Sequence, residues 1–105
     1  MIDVVALGEL LIDFAAKSAD AAGYPTMAAN PGGAPGNFLA ALNAYGRKTA
    51  FLGKVGDDTF GHLLLGTLSR AGIETKGILV DDHFFTTLAF VTFDETGDRS
   101  FAFAR

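Results

Sequence analysis

Seven residues, Pro31-Gly32-Gly33-Ala34-Pro35-Gly36-Asn37, run directly into the helical pattern Phe38, Ala41, Leu42, Tyr45. A glycine-rich loop that feeds a helix fixes a turn and leaves unpaired backbone N–H groups and the positive end of the helix dipole facing outward. Such a junction suits a polar or anionic small ligand, and glycines let that ligand approach the backbone itself. Pro35 fits the first helical turn and Gly46 the left-handed position past the end, which predicts a helix over about residues 35–45.

The segments around this junction alternate in type. Ile2 to Leu7 is a nearly unbroken apolar run ending at Gly8, the pattern of a strand covered on both faces in a parallel sheet. Leu11 to Ala16 reads as a second extended piece, bent away at Gly8-Glu9. Residues 17–30 are small, polar and interrupted by Gly23 and Pro25, and read as loop or irregular strand. Lys48 to Gly53 predicts the next strand. The clearest helix follows: Asp57 or Asp58 can cap it, Phe60, Leu63, Leu64, Thr67, Leu68 and Ala71 recur at helical spacing, and Arg70 and Gly72 close it. With a short strand at Ile78 to Val80, the order strand, helix, strand, helix, strand predicts a parallel α/β sheet with right-handed crossovers.

The last twenty residues differ in character. Thr86 to Phe93 and Arg99 to Ala104 are β-rich runs around Asp94-Glu95-Thr96-Gly97-Asp98, a hairpin signature. Phe101, Phe103 and Arg105 share one face of the second run. Two readings fit that face equally: a flap over a polar ligand, or two core phenylalanines with Arg105 at a solvated edge.

Composition removes several function classes. The 105 residues are half apolar and 19% charged, enough for one domain with a core, and disorder is not expected. A formal charge of −4, with Arg47, Lys54, Arg70 and Lys76 scattered, argues against nucleic-acid binding. Zero cysteines exclude a disulfide scaffold, a thiolate metal site and a cysteine nucleophile. The N-terminus lacks the basic segment of a signal peptide and no apolar run reaches about 18 residues, so no membrane association and a soluble, cytoplasmic protein are expected.

Motif chemistry narrows the rest. Gly53-Lys54 is followed by Val55 and Lys48-Thr49 is preceded by Arg47, so there is no phosphate-binding G-x-x-x-x-G-K-[ST] loop. Gly8 stands alone after the first run, where a dinucleotide fingerprint needs three glycines. His62 and His83 have no recognised ligand spacing and read as solvent-facing, and the serines lack a nucleophile-elbow context. A polar set around the loop remains: Asp13, Gly32, Gly33 and Asn37. A carboxylate accepts hydroxyl hydrogen bonds, an amide donates and accepts, and glycine N–H groups add donors, a mixture that matches a polyhydroxylated ligand better than a phosphate. Equally, Asn37 and Asp13 fit as a helix cap and a turn residue.

Gly8-Glu9-Leu10-Leu11-Ile12-Asp13, Gly32-Gly33-Ala34-Pro35-Gly36-Asn37, Gly46 and Gly53-Lys54-Val55-Gly56-Asp57-Asp58-Thr59-Phe60-Gly61, in this order and spacing, resemble the N-terminal part of the ribokinase or PfkB family of carbohydrate kinases. Arg99-Ser100-Phe101-Ala102-Phe103-Ala104-Arg105 is similar to the fructokinase branch. The resemblance implies a Rossmann-like, ribokinase-like α/β sheet over residues 1–105, truncated, with part of a small β-sheet lid in segments of about 14–33 and 86–105. It implies ATP-dependent phosphorylation of a sugar hydroxyl, with ATP and Mg2+ serving the full-length enzyme. Asp13, Gly32, Gly33 and Asn37 would bind the sugar, Phe101, Phe103 and Arg105 would close over it, and the lid would make a homodimer contact through Ala28 to Asn30 and Thr86 to Ala104. The catalytic base, the ATP pocket and the cation loop are expected beyond residue 105. The chain alone would then hold most of the sugar site, bind ATP weakly, lack catalysis and be marginal, sticky or oligomeric. A nucleoside kinase of the same family and a non-catalytic sugar-binding fragment are the alternatives.

Overall fold

A computed structural model describes residues 1–105, the side chain of Ala34 excepted. Strand β1 (Val4–Leu7), β4 (Thr49–Gly56) and β5 (Ile78–Asp81) form a three-stranded parallel sheet in the order β1-β4-β5. Helices α1 (Ala34–Ala44) and α2 (Thr59–Arg70) connect into and out of β4. The alternating apolar segments thus give the expected parallel α/β layer. Phe51, Leu39, Leu64 and Ile12 are fully buried where this sheet, the helices and a second sheet meet.

The second sheet is four-stranded, in the order β3-β2-β6-β7: β2 (Leu11–Ala19), β3 (Pro25–Gly32), β6 (Thr87–Phe93) and β7 (Arg99–Ala104). β6 and β7 make the expected hairpin, with Asp94 Oδ1 accepting from the Thr96 and Asp98 amides and Gly97 at φ +86°. β2 lies parallel to β6 although the two are far apart in the chain, because the whole α/β layer intervenes. One face of this sheet packs inward: Ile12 is buried, and Phe14 stacks on Phe90 and meets Phe60 of α2 edge-on.

Four expectations change. Residues 17–30 are strand over most of their length, because Asp20 accepts from the Ala22 and Tyr24 amides to close a tight turn and β3 pairs antiparallel with β2. Pro25 and Pro31 are tolerated there because β3 is an edge strand. β1 is covered on one face rather than both: Val4 and Ala6 face the core, while Val5 and Leu7 stand open at 53% and 78% exposure. The stripe Phe38, Ala41, Tyr45 is the solvent side of α1, which packs through Gly36, Leu39 and Ala40. On α2, Leu63 is exposed, and Gly61, Leu64 and Leu68 form the buried line. Among the described residues no helix is long and apolar enough to cross a membrane.

Candidate functional site

The glycine loop is tight for two separate reasons. At Gly32 a Cβ would collide with the Asp13 carboxylate and come within 2.9 Å of the Leu11 side chain. At Gly33 φ is +114°, and a Cβ would sit 2.6 Å from the Glu9 carbonyl oxygen. Only glycine meets both conditions without strain. Gly33 is the N-cap of α1, which has no side-chain cap, and Pro35 stands in its first turn. The half-buried Asp13 carboxylate is therefore held beside a helix N-terminus that no protein side chain caps.

Strand register places the remaining residues. Asp13 pairs with Asn30 on one side and Ala89 on the other, and Ala89 pairs with Phe103. Directly paired residues share a face, so Asn30, Asp13, Ala89 and Phe103 form one row across four strands. Phe101, two residues before Phe103, lies on the same face in the row Ala28, Ala15, Val91. Asp13 and Phe103 stand about 10 Å apart, two strand spacings. The two phenyl rings stack with centroids 6.5 Å apart and are about half exposed, so they are not core residues.

Arg105 reaches back from the end of β7. Its guanidinium lies 4.5 Å from the centre of the Phe103 ring and donates from Nε and Nη2 to Glu9 at 3.3 and 3.0 Å. Hydrogen bonding and charge from Arg105 hold the Glu9 carboxyl below its ordinary value of 4.5, and Glu9 raises Arg105 in turn. Both side chains line a groove of about 250 Å3 with Lys54, Gly56, Phe84 and Thr86. The groove lies past the carboxyl ends of β1 and β4, where open α/β sheets bind ligands. Gly32, Gly33 and Asn37 border a separate cavity of about 70 Å3, walled by Leu10, Leu64 and Leu68, which is too apolar for a polyol.

Asp58 secures the far side of the groove. It caps α2 by accepting from the Gly61 amide at 2.7 Å, and it accepts from both the amide and the hydroxyl of the buried Thr86 at 2.8 Å. The Thr86 hydroxyl in turn accepts from the Gly56 amide at 3.0 Å, which ties the end of β4 to the start of β6. Burial opposes ionisation of Asp58, but these hydrogen bonds outweigh it and hold the carboxyl below its ordinary 3.8. The capping role was legible in the sequence. Thr86, Glu9 and Asn30 were not singled out for this site, although Glu9 is conspicuous as the one charge between two apolar runs.

Asp13, Phe101 and Phe103 thus share one face of the four-stranded sheet, Gly32 meets the Asp13 carboxylate and Arg105 stacks on Phe103, whereas Gly33 and the exposed Asn37 border the separate apolar cavity. A parallel sheet with crossover helices, joined to a second four-stranded sheet, defines an α/β protein. The chain belongs to the pfkB family of carbohydrate kinases, whose family model matches residues 1–105. It is 44% identical to fructokinase-2 of Oryza sativa subsp. japonica, over 97% of this chain and 31% of the relative. The crystal structure of fructokinase from Xylella fastidiosa superposes with a TM-score of 0.90 at 36% identity, covering 97% of this chain and 32% of that one. The Xylella fastidiosa fructokinase with bound ATP superposes at 0.87 and 36% identity, over 97% of this chain and 30% of that one. The fold is therefore the ribokinase-like α/β fold, and the chain spans about a third of the length of the curated relatives that it matches.

Proposed function

We propose that this chain supplies the sugar-binding part of an ATP-dependent sugar kinase of the fructokinase type. The observation that carries the reading is the register row that sets Asp13, beside Gly32 and the uncapped start of α1, on the same sheet face as Phe101 and Phe103. Asp13 would accept hydrogen bonds from two sugar hydroxyls, the Gly33 region and Asn37 would add donors, and the phenyl rings would cover the C–H face of the sugar. The four-stranded sheet then acts as a lid that excludes water from the acceptor hydroxyl. Its fully exposed strand β7 is the edge through which a second copy would pair, giving a homodimer. A cytoplasmic location fits this reading, and a cysteine-free chain is compatible with it.

ATP is the phosphoryl donor in this reading, and the similar fructokinase with bound ATP supports it. The residues described here do not themselves make a nucleotide site. The N-terminus of α2 is closed by the Asp58 carboxylate, and α1 begins without a lysine or arginine in its first turn. Among the described residues no cluster of acidic or histidine side chains could hold Mg2+ either. The contribution of this chain is to orient the sugar.

Calorimetric titration with fructose tests the reading. The chain should bind fructose, and Asp13→Ala should lower the affinity by about tenfold or more, the loss expected for a charge-assisted hydrogen bond. Equal affinity in the variant would remove Asp13 from the site.

A further inference from the structure

The groove beside the lid holds two cations, and each is already engaged by a carboxylate. Lys54 pairs with Asp81 at 2.5 Å while its ammonium lies 4.1 Å from the centre of the Phe84 ring. Arg105 presents the whole Nε–Nη2 edge of its guanidinium to Glu9, whose Oε2 also accepts from the Thr87 hydroxyl at 3.3 Å. That edge is the fork with which a free arginine grips a carboxylate or phosphate in bidentate fashion. A pair this exposed contributes little to folding stability, so its consequence lies with whatever enters the groove.

We propose that Glu9 is a specificity-determining residue that reserves the groove for neutral sugars: by occupying the Arg105 fork and cancelling its charge, it excludes sugar acids and sugar phosphates. The proposal rests on the sugar-kinase reading of the site. Glu9 acts through Arg105 and is a positioning residue rather than a catalytic one. It remains ionised at neutral pH, since Arg105 holds its carboxyl below the ordinary range. Held by Glu9 on one edge and stacked on Phe103 on one face, Arg105 keeps its Nη1 donors for a hydroxyl, which needs no countercharge.

The test is the ratio of affinities for gluconate, a polyhydroxylated carboxylate, and fructose, measured calorimetrically at low salt on the chain and its variants. In Glu9→Gln the ratio should rise about tenfold or more, as a liberated guanidinium gains a charge-assisted bidentate pair. Adding Arg105→Gln should abolish that rise, and Glu9→Asp, which keeps the charge, should hold the ratio near that of the unaltered chain. Circular dichroism checks that each variant is folded, and Glu9→Ser gives the same comparison with a smaller side chain. An unchanged ratio in Glu9→Gln with fructose binding intact overturns the proposal and leaves the sugar reading standing. A rise that persists without Arg105 also overturns it. An unaltered chain that binds no fructose rejects the sugar reading, and the proposal with it.

Discussion

Two glycines at the start of α1 make opposite demands on the chain, and the difference can be measured. Gly33 has a backbone conformation that L residues avoid, and its Cβ position is taken by the Glu9 carbonyl. Gly33→Ala should cost about 1–3 kcal/mol, the usual strain of a forced backbone. Gly36 has no such constraint: it lies inside α1, and a Cβ there would make ordinary contacts of 3.5 and 3.6 Å with Leu10 and Leu68. Gly36→Ala should therefore stabilise the fold by about 0.5–1 kcal/mol, through lower unfolded-state entropy and better helix propensity. Urea denaturation of the two variants decides the matter, and a destabilised Gly36→Ala would mean that the small cavity beneath the loop does not accept a methyl group. The sequence showed that this loop was special, since proline and glycine flank a helical pattern there. Which glycine was indispensable depended on Glu9 and Asp13, whose approach is set by the β2–β3 pairing and leaves no local mark.

At the scale of elements, Asp58 joins three of them: it caps α2, holds the start of β6, and through Thr86 fixes the end of β4. Its carboxyl titrates below 3.8 in the folded chain, so folding favours its ionised form. The stability this contributes is complete above the ordinary aspartate value and is lost as pH falls through the lower folded value. The midpoint of thermal unfolding should thus fall on acidification from pH 5 toward pH 3, and less steeply in Asp58→Asn; parallel curves would show that other carboxylates carry the acid sensitivity. At neutral pH, Asp58→Ala should cost about 1–2 kcal/mol for the lost cap. Elements were legible where local patterns and final packing agreed, as in α2, whose cap and glycine stop stand where expected. They were misread where tertiary partners decided. Phe38 and Tyr45 have helical spacing yet face solvent, because the small residues Gly36 and Ala40 let α1 approach the sheet on its other side. Residues 25–32 carry two prolines and little β propensity, yet form a strand because β2 offers a continuous edge.

The whole molecule is two sheets set side by side, with extents of 52 × 33 × 21 Å. Its radius of gyration is 15.4 Å, against about 13 Å expected for a compact domain of this length. The flatness has a physical consequence, because the outer face of the parallel sheet carries Val5, Leu7, Leu52 and Leu79, each between 42% and 78% exposed. Register places Val5 and Leu7 of β1 beside Ala50 and Leu52 of β4, and Leu79 of β5 beside Lys54, so these apolar side chains share one face of the sheet with Lys54 among them. A strand that is apolar on both faces stays exposed in water only at a cost in hydrophobic free energy, and large apolar patches drive association. The chain should therefore self-associate at micromolar concentration, and the double substitution Leu7→Lys, Leu79→Lys should shift it toward smaller species, no larger than the dimer paired through β7, because a lysine on such a face brings charge and solvation without opening the core. Sedimentation velocity at several concentrations distinguishes the outcomes. A concentration-independent monomer in the unaltered chain would show that this face is tolerated in water. Association that persists undiminished in the double variant would instead locate the contact at the exposed edge strand β7 and the aromatic face of the four-stranded sheet, where Phe101→Ser with Phe103→Ser should then disperse it.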